Sequence, residues 1–484
     1  MRAILFFLLG VLSTISFSQD GSPDLSFGNN GVWVHELSGD NHFVEDFVET
    51  ETGQILVIFK TNLPSENLIR VIAFTETGAI DSSFANDGLL VLPYAYFDTY
   101  NLKIHALADG KFLISRTENN ILFLSRFLNN GAIDITFGNS GTLQPFSNEI
   151  HSGFSVSMED PYLLTLGLDN SGAEKQLLLK KFDANGTLDT SFGDNGLASY
   201  TLGDVSNPSA GNLISFGTYI YFGITYTQNS NPFKKIIRFL SNGVIDGAFG
   251  ENGAIINPIE EEYNTHFSIF ENGSFLIGGS YYDNSSETLY RKTIKLDPQG
   301  VLIENFGDNG FIEDFTQGMI QENQRFLCHS NFSDWEGGIT PNYGRFFSNG
   351  ASDSSFQFQY NYLELGSVVG KLLQSGKLLL VGTDIWYNGP EINIVLQRYN
   401  NDPLEVNEVA SQSAYMSPNP SSSIFTVYSN IPFERTPYQV FDVSGKKIKE
   451  GFLTGQNPSI DLSHFEAGIY FMKFGSNTFK LLKT

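Results

Sequence analysis

The feature that most constrains this chain is an 11-residue motif that occurs seven times between residues 21 and 360. Its consensus is Gly-x-x-Asp-x-Ser-Phe-Gly-x-x-Gly, and the copies begin at Gly21, Gly78, Gly131, Gly186, Gly243, Gly300 and Gly350. The Phe residues of successive copies lie 57, 53, 55, 57, 57 and 50 positions apart. A fixed period of this order indicates one structural unit that is used repeatedly.

Two positions characterise the motif: an Asp, and a Phe three residues after it. The copies contain Asp24 and Phe27, Asp81 and Phe84, Asp134 and Phe137, Asp189 and Phe192, Asp246 and Phe249, Phe306 alone, and Asp353 and Phe356. The sixth copy has Ile303 at the Asp position, and the seventh departs from the consensus at 357–360. An Asp in such a loop accepts backbone N–H bonds. We expect the Phe to fill the seam between neighbouring units, so both positions are predicted to be structural.

The stretches between motifs contain apolar runs in a repeated order, which predicts four short strands per unit. Four strands of five or six residues, with their loops, fit a period near 55. No segment shows a long 3.6-residue period, so the chain is predicted to be all-β. Four-stranded units repeated seven times indicate a seven-bladed β-propeller over residues 19–402, since propellers usually have about 4–8 blades. A β-helix is the less favoured alternative because its coils are much shorter.

The two ends of the repeat region complement each other. The first motif has no strands of its own before it, and the last unit stops at Pro403 without a motif or a fourth strand. Residues 31–35 are therefore predicted to supply the fourth strand of the unit formed by residues 367–399. Such a closure removes free sheet edges.

A basic residue lies five positions before the motif glycine in five copies, and Arg398 is its equivalent in the last unit. The five are Arg126, Lys181, Arg238, Lys295 and Arg345. Our hypothesis is that these side chains pair with the motif Asp, as Arg126 would with Asp134. The two positions do not vary together, because Ala73 accompanies Asp81 and Lys295 accompanies Ile303. The sequence alone leaves this pairing undecided.

The motif, with the Arg-Phe step that often precedes it, is similar to the delta-60 repeat family of secreted bacterial proteins. The resemblance covers residues 20–402. It implies a repeated scaffold, and it brings no known reaction, cofactor or catalytic residue.

The first 18 residues have the layout of a secretory signal peptide. Arg2 precedes an apolar run of ten residues, and a small-residue step predicts cleavage between Ser18 and Gln19. A helix that spans a membrane needs about 20 apolar residues. We therefore expect a secreted chain whose mature form has no transmembrane segment.

The C-terminal segment, residues 412–484, differs from the repeats and follows a predicted linker at 403–411. Its alternating apolar runs predict a small Ig-like β-sandwich. Its characteristic residues are Pro418, Asn419, Pro420, Asp442, Gly445, Gly468, Tyr470, Lys480 and Lys483. In this order they resemble the type A sorting domain of the type IX (Por) secretion system of Bacteroidetes. The resemblance implies passage through the periplasm to the cell surface, removal of the domain, and the secretion machinery as a partner.

Composition excludes several classes of protein. The formal net charge is −25, so electrostatic binding to nucleic acid or to an anionic membrane is disfavoured. A single Cys excludes an internal disulfide. The 43 Phe and 47 Gly are unusually many, and the motif and its turns account for a large part of them.

A search for catalytic and metal-binding patterns gives no strong candidate. The seven His residues have no zinc-ligand spacing, and no G-x-S-x-G or phosphate-binding loop occurs. The Asp-rich motif turn offers only one or two carboxylates per copy, so an Asx turn is favoured over a calcium site. We expect no cofactor and no enzyme activity.

The loops that differ between units are better candidates for function than the repeated parts. Trp335, Tyr343, Trp386 and Tyr387 are predicted to form a surface on which a sugar or peptide could stack, with packing inside the loops as the alternative. We expect a monomeric binding or adhesion module with a glycan or a surface protein as ligand. The alternatives are an extracellular polysaccharide hydrolase or lyase and a purely structural surface protein.

Overall fold

A computed structural model describes most of the chain after residue 19. The described residues are 20–35, 41–62, 67–94, 99–146, 152–159, 162–228, 231–256, 267–283, 288–321, 323–330, 332–333, 338–360, 365–384, 393–401, 414–429, 433–443, 445–455, 457–474 and 477–484. The predicted signal peptide, with Ser18 and Gln19, and the predicted linker lie outside them. The chain divides into two compact units, Met1–Asp402 and Pro403–Thr484.

The described residues of the first unit form seven antiparallel sheets. Strands are numbered in chain order, beginning with β1 (Val32–His35). Each of sheets 1 to 5 contains four consecutive strands. Sheet 1 is β2–β5 (Asn41–Glu49, Ile55–Asn62, Asn67–Phe74, Leu89–Leu92), and sheet 2 is β6–β9 (Thr99–Ala106, Phe112–Glu118, Ile121–Phe127, Thr142–Leu143). Sheet 3 is β10–β13 (Ser152–Glu159, Tyr162–Asp169, Lys175–Phe182, Ala198–Gly203), and sheet 4 is β14–β17 (Ser206–Phe216, Tyr219–Gln228, Asn231–Leu240, Ala254–Ile256). Sheet 5 is β18–β21 (Phe267–Ile269, Phe275–Asp283, Thr288–Leu296, Phe311–Glu313).

The last two sheets of this unit are less regular. Sheet 6 is β22 (Thr316–Ile320), β23 (Phe326–His329) and β26 (Tyr343–Phe346), and sheet 7 is β27 (Leu365–Leu372), β28 (Leu378–Asp384), β29 (Ile394–Tyr399) and β1, extended by the two-residue strands β24 (Phe332–Ser333) and β25 (Ile339–Thr340). One 3-10 helix of three residues, Ala108–Gly110, interrupts the strands. Among the described residues, no helix is long and apolar enough to cross a membrane.

The second strand of a sheet is usually an almost continuous apolar run, and the fold explains why. All of β28 is buried, and so are Ile55 to Phe59 at the start of β3. Both faces of such a strand are covered by the neighbouring sheets, so the alternation of a half-exposed strand disappears. The hydrophobic core is accordingly divided into clusters between sheets; one contains Leu166 of β11 and Phe222 of β15.

The N-terminal strand completes the last sheet, as the sequence predicts. β1 pairs with β29 in antiparallel register, with Val32 opposite Gln397 and His35 opposite Ile394. The two ends of the repeat region therefore share one sheet, and closing the ring requires residues more than 350 positions apart in sequence.

Five motifs also contact the next one through their Phe and the leading glycine of the following copy. A Cβ atom at Gly78 would lie 2.8 Å from the Phe27 ring, and Gly78 has a φ of +90°. The same glycine-on-Phe contact occurs at Gly131, Gly186, Gly243 and Gly350. The backbone N–H after the Phe donates across the same seam, from Gly28 to the Thr77 carbonyl (3.1 Å). The motif Phe therefore fills the seam, as predicted.

The seventh motif closes the ring by contacting the first. The Gln357 N–H makes the seam bond of the other copies, here to the Asp20 carbonyl, and the Gln359 N–H adds a bond to the Gly21 carbonyl, both at 2.9 Å. The last motif is thereby bound to the first. Four-stranded antiparallel sheets linked in a closed ring are the architecture of a β-propeller. The exact blade number stays a prediction.

Four arginines pair with the motif Asp, which confirms the hypothesis for these copies. The Nε atoms donate to the carboxylate Oδ2 at 2.7–2.9 Å. The pairs are Arg126 with Asp134, Arg238 with Asp246, Arg345 with Asp353, and Arg398 with Asp24.

Three of these arginines also reach across the seam. Arg398 Nη1 donates to the Glu76 carbonyl at 2.6 Å, Arg126 to the carbonyl of Ala184, and Arg345 to Asn401 Oδ1 at 3.2 Å. One guanidinium therefore connects its own motif to the following unit.

Two of the copies without an arginine use other residues for these contacts, and the pairing of Lys181 with Asp189 stays a prediction. Where Ala73 replaces the basic residue, Gln54 Nε2 donates to Asp81 Oδ2 at 2.7 Å. Where Ile303 replaces the Asp, Lys295 Nζ still donates to the Ser348 carbonyl across the seam at 2.7 Å. This substitution explains why the basic residue and the Asp do not vary together in the sequence.

Asp24 accepts hydrogen bonds from several donors at once. Its Oδ2 lies 2.7 Å from both Lys377 Nζ and Arg398 Nε, and Ser26 donates to its Oδ1. Burial by itself would raise the pKa of Asp24. The hydrogen bonds from Lys377 and Ser26, with the charge of Arg398, outweigh it and lower the pKa to about 2.

The second unit consists of two sheets. One is β30 (Ala414–Ser417), β31 (Ile424–Ser429) and β34 (Ser459–Asp461), and the other runs in the order β33 (Lys447–Gly455), β32 (Phe433–Asp442), β35 (Gly468–Phe474) and β36 (Asn477–Lys483). Phe425 and Ile460 of the first sheet and Val440 and Met472 of the second belong to one buried cluster. This unit is a small β-sandwich; its Ig-like character stays a prediction.

The contact of Gly78 with Phe27 gives a first prediction. Replacing Gly78 with Ala should lower the free energy of unfolding by about 2 kcal/mol or more, because the new Cβ meets the ring at a strained φ. Gly247→Ala, which meets nothing within 4 Å, should change it by less than about 0.5 kcal/mol. Gly203→Ala isolates the φ effect, since Gly203 has a φ of +86° and open space. Urea unfolding measures all three; an equal loss at Gly78 and Gly203 would rule out the seam contact as the cause.

The lowered pKa of Asp24 gives a second prediction. A carboxyl whose pKa is lower in the folded state stabilises the fold above pH 3.8, and this stabilisation is lost as the pH falls toward 2. We expect Asp24→Asn to reduce stability at pH 7 and to flatten the decline between pH 4 and 2. Asp87→Asn, at an exposed Asp, is the control. Urea midpoints across this range test it, and an Asp24→Asn profile parallel to that of the unchanged chain would contradict it.

Candidate functional site

The structure does not place the predicted aromatic surface as expected. Tyr343 is a residue of β26 that is only 5% exposed, and its ring packs against that of Phe358 at 5.3 Å. Its inclusion in a ligand surface is therefore wrong: the strand directs this side chain into the core between sheets 6 and 7. Trp335, Trp386 and Tyr387 lie outside the described residues, so their part of the surface stays a prediction.

A groove of about 740 Å³ lies at a different place, beside the closing strand β1. It is lined by Ser26, Gly28, Asn29, Val32, Trp33, Val34, Thr77 and Ala79. These residues come from the first motif, from β1, and from the turn that opens the second motif. The groove therefore lies at the seam that the ring closure creates.

Trp33 gives this groove an aromatic wall. Its ring stacks on His35 with centroids 5.3 Å apart and meets the edge of Phe74 at 5.0 Å. Burial lowers the pKa of His35, which favours the uncharged imidazole. The indole is thus held by neutral rings, and none of the described lining residues is charged.

The next five copies have an aliphatic residue in place of this indole. Trp33 lies six positions after the motif Phe, and the corresponding residues of the next five copies are Leu90, Leu143, Ala198, Ile255 and Ile312. Comparing this position between copies would have singled out Trp33 from the sequence. The comparison of motifs missed it because the residue follows the motif.

A polar cluster lies between the first strands of sheets 7, 1 and 2. Lys371 Nζ of β27 lies 2.7 Å from Asp46 Oδ1 of β2, and the backbone N–H of Ile104 in β6 donates to Asp46 Oδ2 at 3.3 Å. Burial lowers the pKa of the neighbouring His105 to about 4, so this imidazole is neutral at physiological pH. The carboxylate joins three sheets, and its oxygens are already occupied, so the cluster is structural.

The described residues offer little to a metal or a nucleophilic mechanism. None of them forms a group of three or more His, Cys, Asp or Glu that could hold a metal ion. Burial raises the pKa of the Cys328 thiol to about 12, which keeps it protonated and unreactive.

The predicted sorting-domain residues lie at turns and strand ends of the second unit. Asp442 and Gly445 form the turn between β32 and β33, where Gly445 has a φ of +82° and donates to the Asp442 carbonyl. Gly468 begins β35, and the Tyr470 hydroxyl donates to the Glu466 carbonyl at 2.7 Å.

Pro418, Asn419 and Pro420 lie beside the last strand, β36. The Asn419 side-chain amide donates to the Lys480 carbonyl at 2.7 Å, and its oxygen accepts from the Leu482 N–H at 2.9 Å. Lys483 is 9% exposed. The start of the domain and its last strand are therefore bound together, which explains why their sequence signals occur as a set.

Comparison with protein families identifies this tail. A family model described as "Secretion system C-terminal sorting domain" matches residues 415–484. The second unit therefore carries a type IX sorting domain. It indicates export to the cell surface or secretion, and it implies an interaction with the type IX secretion machinery. The resemblance of the repeats to the delta-60 family stays a prediction.

Several solved structures are similar to this chain at low identity. "Crystal structure of polysaccharide lyase Uly1" is 11% identical, covers 80% of this chain and 94% of that chain, and has a TM-score of 0.45. The β-propeller domain of the Trilobed protease from Pyrococcus furiosus is 9% identical, with coverage of 75% and 98% and a TM-score of 0.40. GH43 endo-arabinanase from Bacillus licheniformis is 13% identical, with coverage of 56% and 99% and a TM-score of 0.29.

No curated protein matches the chain. The TM-scores of these structures are below 0.5, so their activities carry no argument for this chain. What the comparisons establish is the C-terminal sorting domain.

Proposed function

We propose that this chain is an exported, seven-bladed β-propeller that acts as a binding or adhesion module at the cell surface. The groove beside Trp33 is its ligand site, and a glycan is the ligand. The sorting domain supports the location, and the groove supports binding.

The observation that carries the proposal is the combination of one indole with several small polar groups in an open groove. Ligand sites typically combine apolar or aromatic walls with a few polar groups that fix orientation. Here Trp33 supplies the wall, and Asn29 and Thr77 supply amide and hydroxyl groups on the exposed surface. A sugar ring offers both an apolar face for the indole and hydroxyl groups for these partners.

Charge favours a neutral glycan over an acidic one. Residues 1–414 contain 21 Lys and Arg against 48 Asp and Glu, a net charge of −27. A field of this sign repels polyanions. The groove itself has no cation to offset it.

The proposal treats the chain as a binder rather than an enzyme. The rival function, a hydrolase or lyase acting on polysaccharide, needs carboxylates that are free to exchange protons. The best-buried motif carboxylates are committed to arginines, as Asp24, Asp134 and Asp353 show. Their hydrogen bonds hold them ionised and fixed in place.

A glycan array followed by a hydrolysis assay tests the proposal on the full mature chain. Binding of a neutral oligosaccharide without turnover is expected, and Trp33→Ala should weaken it at least tenfold because the stacking wall is lost. Leu90→Ala, at the same position of the next copy, is the matched control and should leave affinity unchanged. Turnover of the glycan would support the enzyme instead. An affinity unaffected by Trp33→Ala would refute this groove as the site. If the array shows no binding and the assay shows no hydrolysis, a structural surface protein is favoured.

Export is tested separately by removing the tail. A chain lacking residues 412–484 should fold but remain in the periplasm of a bacterium with a type IX system, because it lacks the sorting domain. Fractionation and surface proteolysis measure this. Normal surface display of the shortened chain would contradict the export part of the proposal.

A further inference from the structure

The four-stranded sheet of the sorting domain has two edges, and one of them is covered. Asn419 satisfies the Lys480 carbonyl and the Leu482 N–H at the outer side of β36. Ser421 continues the cover, because its N–H donates to the Leu482 carbonyl and its carbonyl accepts from the Thr484 N–H, both at 3.0 Å. The backbone groups at this end of β36 are therefore not free to pair with another chain.

The opposite edge is β33, and it is built differently. Within the described part of the domain, β33 pairs with β32 alone. It is nine residues long, and Phe452 near its centre is 54% exposed. Exposed edge strands of this length invite pairing, and proteins usually shorten, cover or charge them.

Charge on β33 limits which strand can pair with it. Lys446, Lys447 and Lys449 are three of the seven basic residues in 415–484, at the start of this edge. Lys447 pairs with Glu450 of the same strand at 2.7 Å and Lys449 donates to the Asp461 carbonyl at 2.8 Å, and three lysines against one glutamate leave this edge positively charged. A basic strand added here would meet like charge. An acidic strand would instead meet opposite charge. The excess of lysine over glutamate therefore favours an acidic partner.

We propose that the free edge of β33 is the site at which the type IX secretion machinery engages this domain, by adding an extended acidic strand to the sheet. The backbone of β33 supplies the hydrogen bonds, its lysines select the charge of the partner, and Phe452 contacts an apolar side chain of the added strand. The inference rests on the sorting-domain assignment, and it is independent of the glycan groove.

The experiment expresses the full chain in a bacterium with a type IX system and measures the fraction that reaches the surface or medium. Lys447→Glu combined with Lys449→Glu should reduce that fraction at least tenfold, and Phe452→Ser should also reduce it. The matched controls are Lys473→Glu on β35, and Leu482→Ser, whose side chain is 40% exposed on the covered edge. Both controls should be exported normally.

Two further measurements make the result decisive. Each purified variant must keep the melting temperature of the unchanged chain, which separates lost docking from misfolding. Normal export of the Lys447 and Lys449 double variant would overturn the proposal. So would an equal loss in the Lys473 and Leu482 controls. If the chain without residues 412–484 is itself exported, the sorting assignment fails, which is a different outcome.

Discussion

The contact between one motif and the next is the interaction on which the first unit depends. A four-stranded sheet with two apolar faces is not stable alone, so each unit must pack on both neighbours. The motif concentrates the means of doing so in one loop: a Phe that packs on the next glycine, and an Asp that orients an arginine reaching the next unit. Losing one partner of such a buried ion pair leaves the other charge uncompensated, which typically costs about 3–5 kcal/mol.

Most of this architecture could be predicted from the sequence because the repeat presents the same evidence seven times. The all-β class, the order of the strands and the closing role of residues 31–35 all follow from that period. The pairing of Arg126 with Asp134 was a reasonable hypothesis, but Gln54 as the partner of Asp81 was not predictable. Gln54 is distant in sequence and reaches the Asp only because β3 and β4 are paired.

The sequence predicted the residues of the candidate ligand site less well than the fold. Tyr343 belongs to an aromatic-rich loop region, yet the direction of its side chain depends on the register of β26, which no sequence pattern determines. The seventh motif departs from the consensus at 357–360, yet Gln357 keeps the seam bond of the other copies and Gln359 adds a second bond to the first motif. Trp33 was overlooked because it is ordinary as a strand residue and distinctive only against its counterparts in the other copies.

The parts of the chain have different roles, which follow from these contacts. The repeated residues build a closed and acidic ring, the seam beside β1 has an indole where the next five copies have aliphatic residues, and a slightly basic C-terminal sandwich carries the sorting signal. The same strand, β1, completes the ring and lines the groove. Ring closure is therefore central to both the fold of the first unit and its proposed ligand site.

Native-state amide hydrogen exchange of the mature chain tests that closure most directly. If β1 is an integral strand of the ring, the amides of Val32 to His35 that bond to β29 will exchange as slowly as those of β29 itself. Their exchange will then require the unfolding of the whole first unit. Rapid exchange across β1, with β29 still protected, would show that the ring is open and would contradict the account.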